Sequence, residues 1–421
     1  MAIPLTRSRS GCALHGALFT AAAIDGVTPL LHSTPGCGVQ AYQSALAGGG
    51  CLGDDRRLAV PSSNLSEKHI VFGGGSRLRE QVKNAIGLVD GELTVVLSGC
   101  PAEMIGDDVA AMVQDVRNQG EPAIEIATAG FRGSAYQGYE AFLKGVIAQR
   151  VAFDPAPGGT RVSLVNILGI VPQQDAFWLA ELDELSRMLA GIGLHANSLF
   201  GPDGGVDSLR ALPQAELSLV VSPWGLEPAR ALQSRFGIPW LQVTGLPVGA
   251  DASVDLLRRV AGLISPRPAE AESYLAKEIR REAYLLDAVA EALYRRQAQR
   301  DFAVVAPSLH AAGLSRFLTE TLGWTARATL ITDDPAPEVR DALAESLAEV
   351  QFIEDAGGID DILRGSGAEI VLGSAIERSV ADELGIPLIE VAVPTGKHRL
   401  VAGLGGFRGG LALIEQILAI G

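Results

Sequence analysis

Leu93-Thr94-Val95-Val96-Leu97-Ser98-Gly99-Cys100-Pro101-Ala102-Glu103-Met104-Ile105-Gly106-Asp107-Asp108 opens on apolar and β-branched residues and breaks at Gly-Cys-Pro. Residues 93–97 read as a strand, and the Gly/Pro break as the turn that ends it. The pattern recurs upstream, where the apolar run 27–31 leads into His32-Ser33-Thr34-Pro35-Gly36-Cys37-Gly38. Downstream, strand-like runs at 162–171 and 217–221 alternate with helical patterns such as 176–191. Such alternation predicts an α/β chain with parallel sheets layered against helices.

Two breaks divide the chain. Asp154-Pro155-Ala156-Pro157-Gly158-Gly159 reads as a linker, and Ser265-Pro266-Arg267-Pro268 precedes a long helix running to about Gln299. Leu275, Ile279, Leu286, Val289 and Leu293 share one face of that helix and are expected to pack on its own domain. An internal echo points to duplicated units. Ala215-Glu216-Leu217-Ser218-Leu219 leads to Gly237-Ile238-Pro239-Trp240 and Pro247-Val248-Gly249. Ala368-Glu369-Ile370-Val371-Leu372 leads to Gly385-Ile386-Pro387-Leu388 and Pro394-Thr395-Gly396. The expected domains are 1–158, carrying the cysteines, 159–299, ending in the long helix, and 300–421, with a Gly-rich loop at 403–410 and a last helix. Ligand crevices form beyond the C-terminal ends of parallel strands, so three Rossmann-like domains predict a central cleft.

The 421 residues carry 34 basic and 49 acidic side chains, a net charge of −15. That balance argues against nucleic acid as a partner, because phosphate-backbone affinity needs surplus Lys and Arg. No apolar run approaches the ~20 residues of a membrane span. The N-terminal stretch, basic at Arg7 and Arg9, imitates a signal peptide, but His15 and Asp25 interrupt its apolar part. The expected location is the cytoplasm.

All four cysteines, Cys12, Cys37, Cys51 and Cys100, fall in the first hundred positions, an arrangement with a chance probability of roughly 0.3%. A disulfide framework does not suit a large cytoplasmic chain. The absence of CxxC pairs disfavours a zinc knuckle or thioredoxin-type pair. A lone buried thiol is commonplace, yet Cys12, Cys37 and Cys100 each sit at a Gly-bearing element end. There, backbone N–H groups can approach an inorganic sulfide. The residues thus point to an iron–sulfur site with three well-placed thiolates. Cys51, an oxygen ligand or a second polypeptide is left to complete it.

Other motifs are weaker. Gly73-Gly74-Gly75, after a strand expected at 69–72, reads as a tight turn rather than a phosphate cradle. Asp107-Asp108 reads as a helix-start charge pair rather than a divalent-metal site. His32 is expected to be structural, and His398 ordinary. Ser8, Ser10 and Ser33 give no support for a hydrolase. No GxxxxGK[ST] is present, so ATP hydrolysis is expected on another protein.

Gly11-Cys12-Ala13 with Gly16-Ala17, His32-Ser33-Thr34-Pro35-Gly36-Cys37, Asn64-Leu65-Ser66-Glu67-Lys68-His69-Ile70-Val71-Phe72-Gly73-Gly74 and the Cys100–Asp108 stretch together resemble the nitrogenase component 1 superfamily. The cysteine spacings of 25 and 63 are similar to the family's. The resemblance implies the nitrogenase component 1 fold, with Cys12, Cys37 and Cys100 as one subunit's ligands to an interface cluster. An [8Fe-7S] P-cluster is favoured, with [4Fe-4S] as the alternative. It also implies a homologous α-like partner in an α2β2 heterotetramer and an ATP-hydrolysing iron–sulfur homodimer as electron donor.

The chain has no cysteine after Cys100, so the resemblance makes it the β-like subunit and places the large iron–sulfur cofactor on the partner. Gly130 stands where a serine binds the oxidised cluster in the molybdenum enzyme's β-chain. Three cluster cysteines favour a reductase over a maturation scaffold. The short chain and missing serine point away from molybdenum nitrogenase. The expected function is electron relay in a nitrogenase-like reductase, with C–S bond cleavage of methylthio-alkanes as the favoured chemistry. The alternatives are a dinitrogen-reducing β subunit, a cofactor-maturation scaffold and an enzymatically silent binding protein.

Overall fold

The computed structural model describes residues 9–47, 60–149, 161–264, 268–295, 300–353, 355–397, 399 and 401–420. Cys51, the stretch 154–159, residues 265–267 and 296–299, and His398 lie outside the described residues.

Three parallel sheets follow one another along the chain. The first holds β1 (Val27–His32), β2 (Leu93–Ser98) and β3 (Ala123–Ala127), in that order. The second holds β4 (Leu164–Leu168), β5 (His195–Asn197), β6 (Leu217–Val220) and β7 (Trp240–Gln242), ordered β5-β4-β6-β7. The third holds β8 (Asp301–Ala306), β9 (Thr325–Ile331), β10 (Val350–Phe352), β11 (Ile370–Gly373) and β12 (Leu388–Glu390), ordered β10-β9-β8-β11-β12. β1 and β2 are buried at every position, as strands covered on both faces must be, and this explains their uninterrupted apolar character.

The internal echo corresponds to two like-built units. β6 leads through helix Leu226–Phe236 to β7, and β11 through helix Arg378–Leu384 to β12. Gly237 and Gly385 end these helices at φ 74° and 67°, a left-handed cap that costs a β-carbon-bearing residue strain. The following Ile-Pro then turns the chain into the next strand.

Helix Pro268–Arg295 keeps its expected stripe at Leu275, Leu286, Val289 and Leu293, which pack into the core, and departs from it at Ile279. Leu275 is buried but Ile279 is 39% exposed, while Glu278 and Glu282 are buried. Polar partners make this possible: Arg187 lies 3.4 Å from Glu278, and the Ala250 amide donates to Glu282 at 2.9 Å. The last helix, Gly406–Ala419, packs on helices Trp178–Gly191, Gly249–Ile264 and Pro268–Arg295.

Residues 69–72 are not a strand. Helix Glu67–Phe72 occupies them, because the Ser66 amide donates to His69 Nδ1 at 3.0 Å and the Ser66 carbonyl accepts from His69 and Ile70. This local start outweighs the strand preference of Ile70 and Val71, whose side chains face outward instead of joining a sheet.

A cavity of about 970 Å³ lies where the three units meet, the expected central cleft. Among the described residues no helix is long and apolar enough to cross a membrane.

Candidate metal centre

The parallel register of β1 and β2 sets His32 opposite Ser98, so the chain leaves both strands at the same edge. Cys37 follows in the first turn of helix Pro35–Ala47, and Cys100 opens helix Cys100–Met104. The two exits are in contact. The Gly99 amide donates to the His32 carbonyl at 3.0 Å, and a β-carbon on Gly99 would lie 2.2 Å from Ser33 Oγ. Cys12 arrives from the other side as N-cap of helix Ala13–Ala22 and bridges Ser134. Its helix is pressed against helix Ala135–Gln149 at glycine. A β-carbon on Gly16 would meet the Ala135 carbonyl oxygen at 1.9 Å, and one on Gly138 the Ala13 oxygen at 2.1 Å.

Gly130 ties this arm to Cys100. Its amide donates to Cys100 Sγ at 3.0 Å. A β-carbon there would lie 3.2 Å from Cys100 Sγ and 3.5 Å from Cys12 Sγ, so the two sulfurs flank one point. Ser33 Oγ donates to Cys37 Sγ at 3.2 Å. His15 spans the remaining gap, with Nδ1 3.4 Å from Cys12 Sγ and Nε2 3.2 Å from the Cys37 carbonyl oxygen. A carbonyl only accepts, so Nε2 carries a proton, and Nδ1 then shares a second proton with the Cys12 sulfur.

Electrostatics follow this geometry. Burial alone would raise the Cys12 thiol, but the His15 hydrogen bond and charge outweigh it and hold the pKa below its ordinary value. Burial alone would lower His15, yet the partnership with Cys12 and the Cys37 carbonyl raises it. The contact with His15 thus favours the thiolate form of Cys12.

Glu103 fastens the Gly130 loop. Its Oε1 accepts from Ser98 Oγ at 2.7 Å and the Ala129 amide at 3.0 Å, and its Oε2 accepts from Arg132 at 2.5 Å. Neither Glu103 nor His15 stands out in the sequence as a site residue. The available signals were that His15 lies one helical turn beyond Cys12, and that Glu103 lies three residues beyond Cys100.

The other candidates are structural. The Gly74 amide donates to both Asp107 oxygens, at 2.9 and 3.1 Å, so this loop is tied to a side chain instead of cradling phosphate. His32 is buried between Ser63 Oγ and Asp107 Oδ2, each 3.0 Å away, and Asp108 caps helix Val109–Arg117 through the Ala111 amide. Burial lowers the His32 pKa against the pull of Asp107.

Cys12, Cys37 and Cys100 are free thiols, each half-buried. Among the described residues no three His, Cys, Asp or Glu side chains converge closely enough for a single metal ion. Thiols are soft donors of the kind that hold iron–sulfur clusters, and as placed these three do not close on one ion. Apolar side chains stand exposed beside the same elements: Val39 and Tyr42 beyond Cys37, Met104 beyond Cys100, Phe131 beside Gly130, and Val71 and Phe72, the last 87% exposed.

The sequence profile described as "Nitrogenase component 1 type Oxidoreductase" matches residues 12–420. The nitrogenase molybdenum-iron protein beta chain of Sinorhizobium fredii is 26% identical, over 97% of this chain and 82% of its own length. The nitrogenase iron-molybdenum cofactor biosynthesis protein NifE of Bradyrhizobium diazoefficiens is 26% identical, over 97% and 73%. A light-independent protochlorophyllide reductase polypeptide of Halorhodospira halophila is 27% identical, over 90% and 71%. A solved structure, "Nitrogenase Cp1 at pH 6.5", superimposes with a TM-score of 0.81 at 19% identity, covering all of this chain and 93% of that one, so the fold is shared.

Proposed function

Because the chain belongs to the nitrogenase component 1 type oxidoreductases, we propose that it is the β-like electron-relay subunit of an ATP-dependent reductase, with Cys12, Cys37 and Cys100 as its half of an interface cluster's ligands. The observation that carries this reading is that three free thiols from three separate elements are linked through His15 and Gly130 beside one edge of the first sheet. The amides and hydroxyls around them are aimed at sulfur.

When bound, an iron–sulfur cluster supplies one-electron transfer between an external donor and a cofactor on the partner. The chain's own residues prepare its seat. His15 hydrogen-bonds the Cys12 sulfur and favours its thiolate form. The Gly130 amide and Ser33 hydroxyl donate to the sulfurs of Cys100 and Cys37, and such bonds offset thiolate charge and raise cluster potential. Glu103 keeps the Gly130 amide aimed. The exposed apolar rim, Phe72 foremost, supports burial by a homologous α-like chain or by the ATP-hydrolysing donor. Either would exclude water from the cluster.

Reductive C–S cleavage of methylthio-alkanes is the favoured chemistry within this reading. Its support is the set of three cluster cysteines, with glycine at position 130. Similarity to NifE supports a second reading, a maturation scaffold without external turnover. Anaerobic co-purification with the α-like chain and metal quantitation tests both. Roughly sixteen irons per αβ pair, with donor- and ATP-dependent turnover, fits the reductase. Four or fewer without turnover fits the scaffold. Ala variants of Cys12, Cys37 and Cys100 are each expected to bleach cluster absorbance and abolish turnover. Full iron content in all three would overturn the ligand assignment.

A further inference from the structure

We infer that His15 is a fourth protein ligand of the interface cluster, its Nδ1 binding the iron that Cys12 holds. The inference rests on the cluster reading above and adds a nitrogen donor to the three thiolates. Cys12 is the N-cap of helix Ala13–Ala22 and His15 follows one turn later, so the two side chains share a face. The imidazole is 8% exposed and stacks on Phe19, with ring centroids 6.4 Å apart. Packing therefore fixes where the ring points.

The tautomer decides what Nδ1 can do. Nε2 lies 3.2 Å from the Cys37 carbonyl oxygen, which only accepts, so Nε2 bears hydrogen. In the neutral ring Nδ1 is then a bare lone pair, and it stands 3.4 Å from Cys12 Sγ. Once Cys12 is a thiolate, two lone pairs face each other and something positive has to lie between them. In the metal-free chain a shared proton serves. Two donors on one tetrahedral metal, with nitrogen at about 2.0 Å and sulfur at about 2.3 Å, stand about 3.5 Å apart, so iron suits the same gap. A ligating imidazole ordinarily fixes its other ring nitrogen by donating to a carbonyl or carboxylate, as Nε2 does here. Iron in that place displaces the shared proton to solvent, forms one bond to sulfur and one to nitrogen, and no electron moves.

The neighbouring oxygen donors are engaged elsewhere. Ser33 Oγ donates to Cys37 and Ser134 Oγ to Gln137, while the Glu103 carboxylate accepts from Ser98, Ala129 and Arg132. Gly130 has no side chain to offer. Among the described residues no three donor side chains close on one ion, so Cys12 and His15 hold iron only within a cluster whose sulfides complete the coordination. Imidazole in place of thiolate on a cluster iron removes negative charge and raises the potential.

The test is electron–nuclear double resonance on the anaerobic complex with the α-like chain, its cluster poised in a paramagnetic state and nitrogen-15 histidine confined to this chain. A strongly coupled nitrogen that changes with the label and vanishes in His15→Gln is expected. His15→Cys is expected to keep most of the iron, lose the nitrogen signal and lower the midpoint potential, since an anionic sulfur replaces a neutral ring. If His15→Gln loads no cluster, the labelled unsubstituted complex decides alone, because His32 has both ring nitrogens engaged, at Ser63 and Asp107. A weakly coupled nitrogen with a deuterium-exchangeable proton toward Cys12 overturns the inference and leaves the three-thiolate reading standing, for His15 is then a hydrogen-bond donor. A strong nitrogen signal unchanged in His15→Gln overturns it as well. A complex without cluster iron overturns the cluster reading, and this inference falls with it.

Discussion

The first and third sheets treat their aromatic side chains in opposite ways. In the third, Phe302 on β8 is fully buried against Trp324, with ring centroids 6.4 Å apart. Beside the first, Phe72 is 87% exposed and Met104 77%, both next to the thiol-bearing edge. The third sheet completes its packing within the chain, whereas the first leaves apolar area for another surface to cover. A paired substitution tests the contrast. Phe302→Ala is expected to destabilise the isolated chain by about 3–5 kcal/mol in denaturant unfolding. Phe72→Asp should leave that unfolding curve unchanged and weaken assembly with the α-like chain by about 2 kcal/mol or more, roughly thirtyfold in Kd. If Phe72→Asp also lowers the stability of the isolated chain, the exposed face is part of a packed core and the contrast fails.

The second sheet joins the comparison through Glu181, which seats the C-terminal loop. The Leu404 and Gly405 amides donate to its carboxylate at 2.5 and 2.8 Å. A β-carbon on Gly403 would come within 2.4 Å of Glu181 Oε1, so only glycine permits the approach. Burial pushes Glu181 up to about 7 against these bonds. Between its ordinary pKa of 4.5 and about 7 the folded chain holds a proton the unfolded chain has released, so stability falls as pH rises across that window. The fall attributable to Glu181 is about 3 kcal/mol. Glu282, raised to about 7 chiefly by burial, falls in the same direction. The difference between the chain and its Glu181→Gln variant isolates the Glu181 part. The variant loses stability at every pH, because its amide nitrogen faces a backbone donor, but its slope is flatter. Equal slopes would mean that Glu181 is ionised in the fold.

Within the first sheet, Glu103 separates the scaffold from the thiols it serves. Glu103→Ala strands the Ala129 amide and releases Arg132, an expected loss of about 2 kcal/mol in urea unfolding. Part of the iron should go with it, since the Gly130 amide is no longer held toward Cys100. Glu103→Gln keeps the acceptor for Ala129 and is expected to restore most of both. Full iron retention in Glu103→Ala would show that the cysteines hold their places without the loop.

These residues also mark what was legible in the sequence. β1 and β2 were readable because strands buried on both faces are continuous apolar runs. The placement of the three cysteines at element ends was readable because Gly or Pro stands beside each of them. Helix Glu67–Phe72 was misread because Ile70, Val71 and Phe72 favour strands, while the capping partnership of Ser66 and His69 is one residue pair in a short segment. His15, Glu103 and the Gly130 amide acquire their roles from contacts spanning up to 30 positions, which no local pattern reports.

The smallest expected effect lies at Gly130, where the two sulfurs flank an open point. A β-carbon there would sit 3.2 Å from Cys100 Sγ and 3.3 Å from Cys12 Cβ, so its neighbours need to yield by only a few tenths of an ångström. Gly130 opens a short 3-10 turn and has no positive φ, so a side chain adds no backbone strain. Gly130→Ala and Gly130→Ser are therefore each expected to cost under about 1 kcal/mol in the isolated chain. They should part company in the complex with its α-like partner. The serine hydroxyl would stand beside both sulfurs as a hydrogen-bond donor or, once deprotonated, an oxygen ligand, and would make the midpoint potential of a bound cluster depend on pH. The alanine methyl can do neither. A pH-dependent potential in Gly130→Ser alone would place the cluster against Gly130, between Cys12 and Cys100. Indistinguishable potentials in the two variants would place it elsewhere and leave the Gly130 amide as a bond that only shapes the loop.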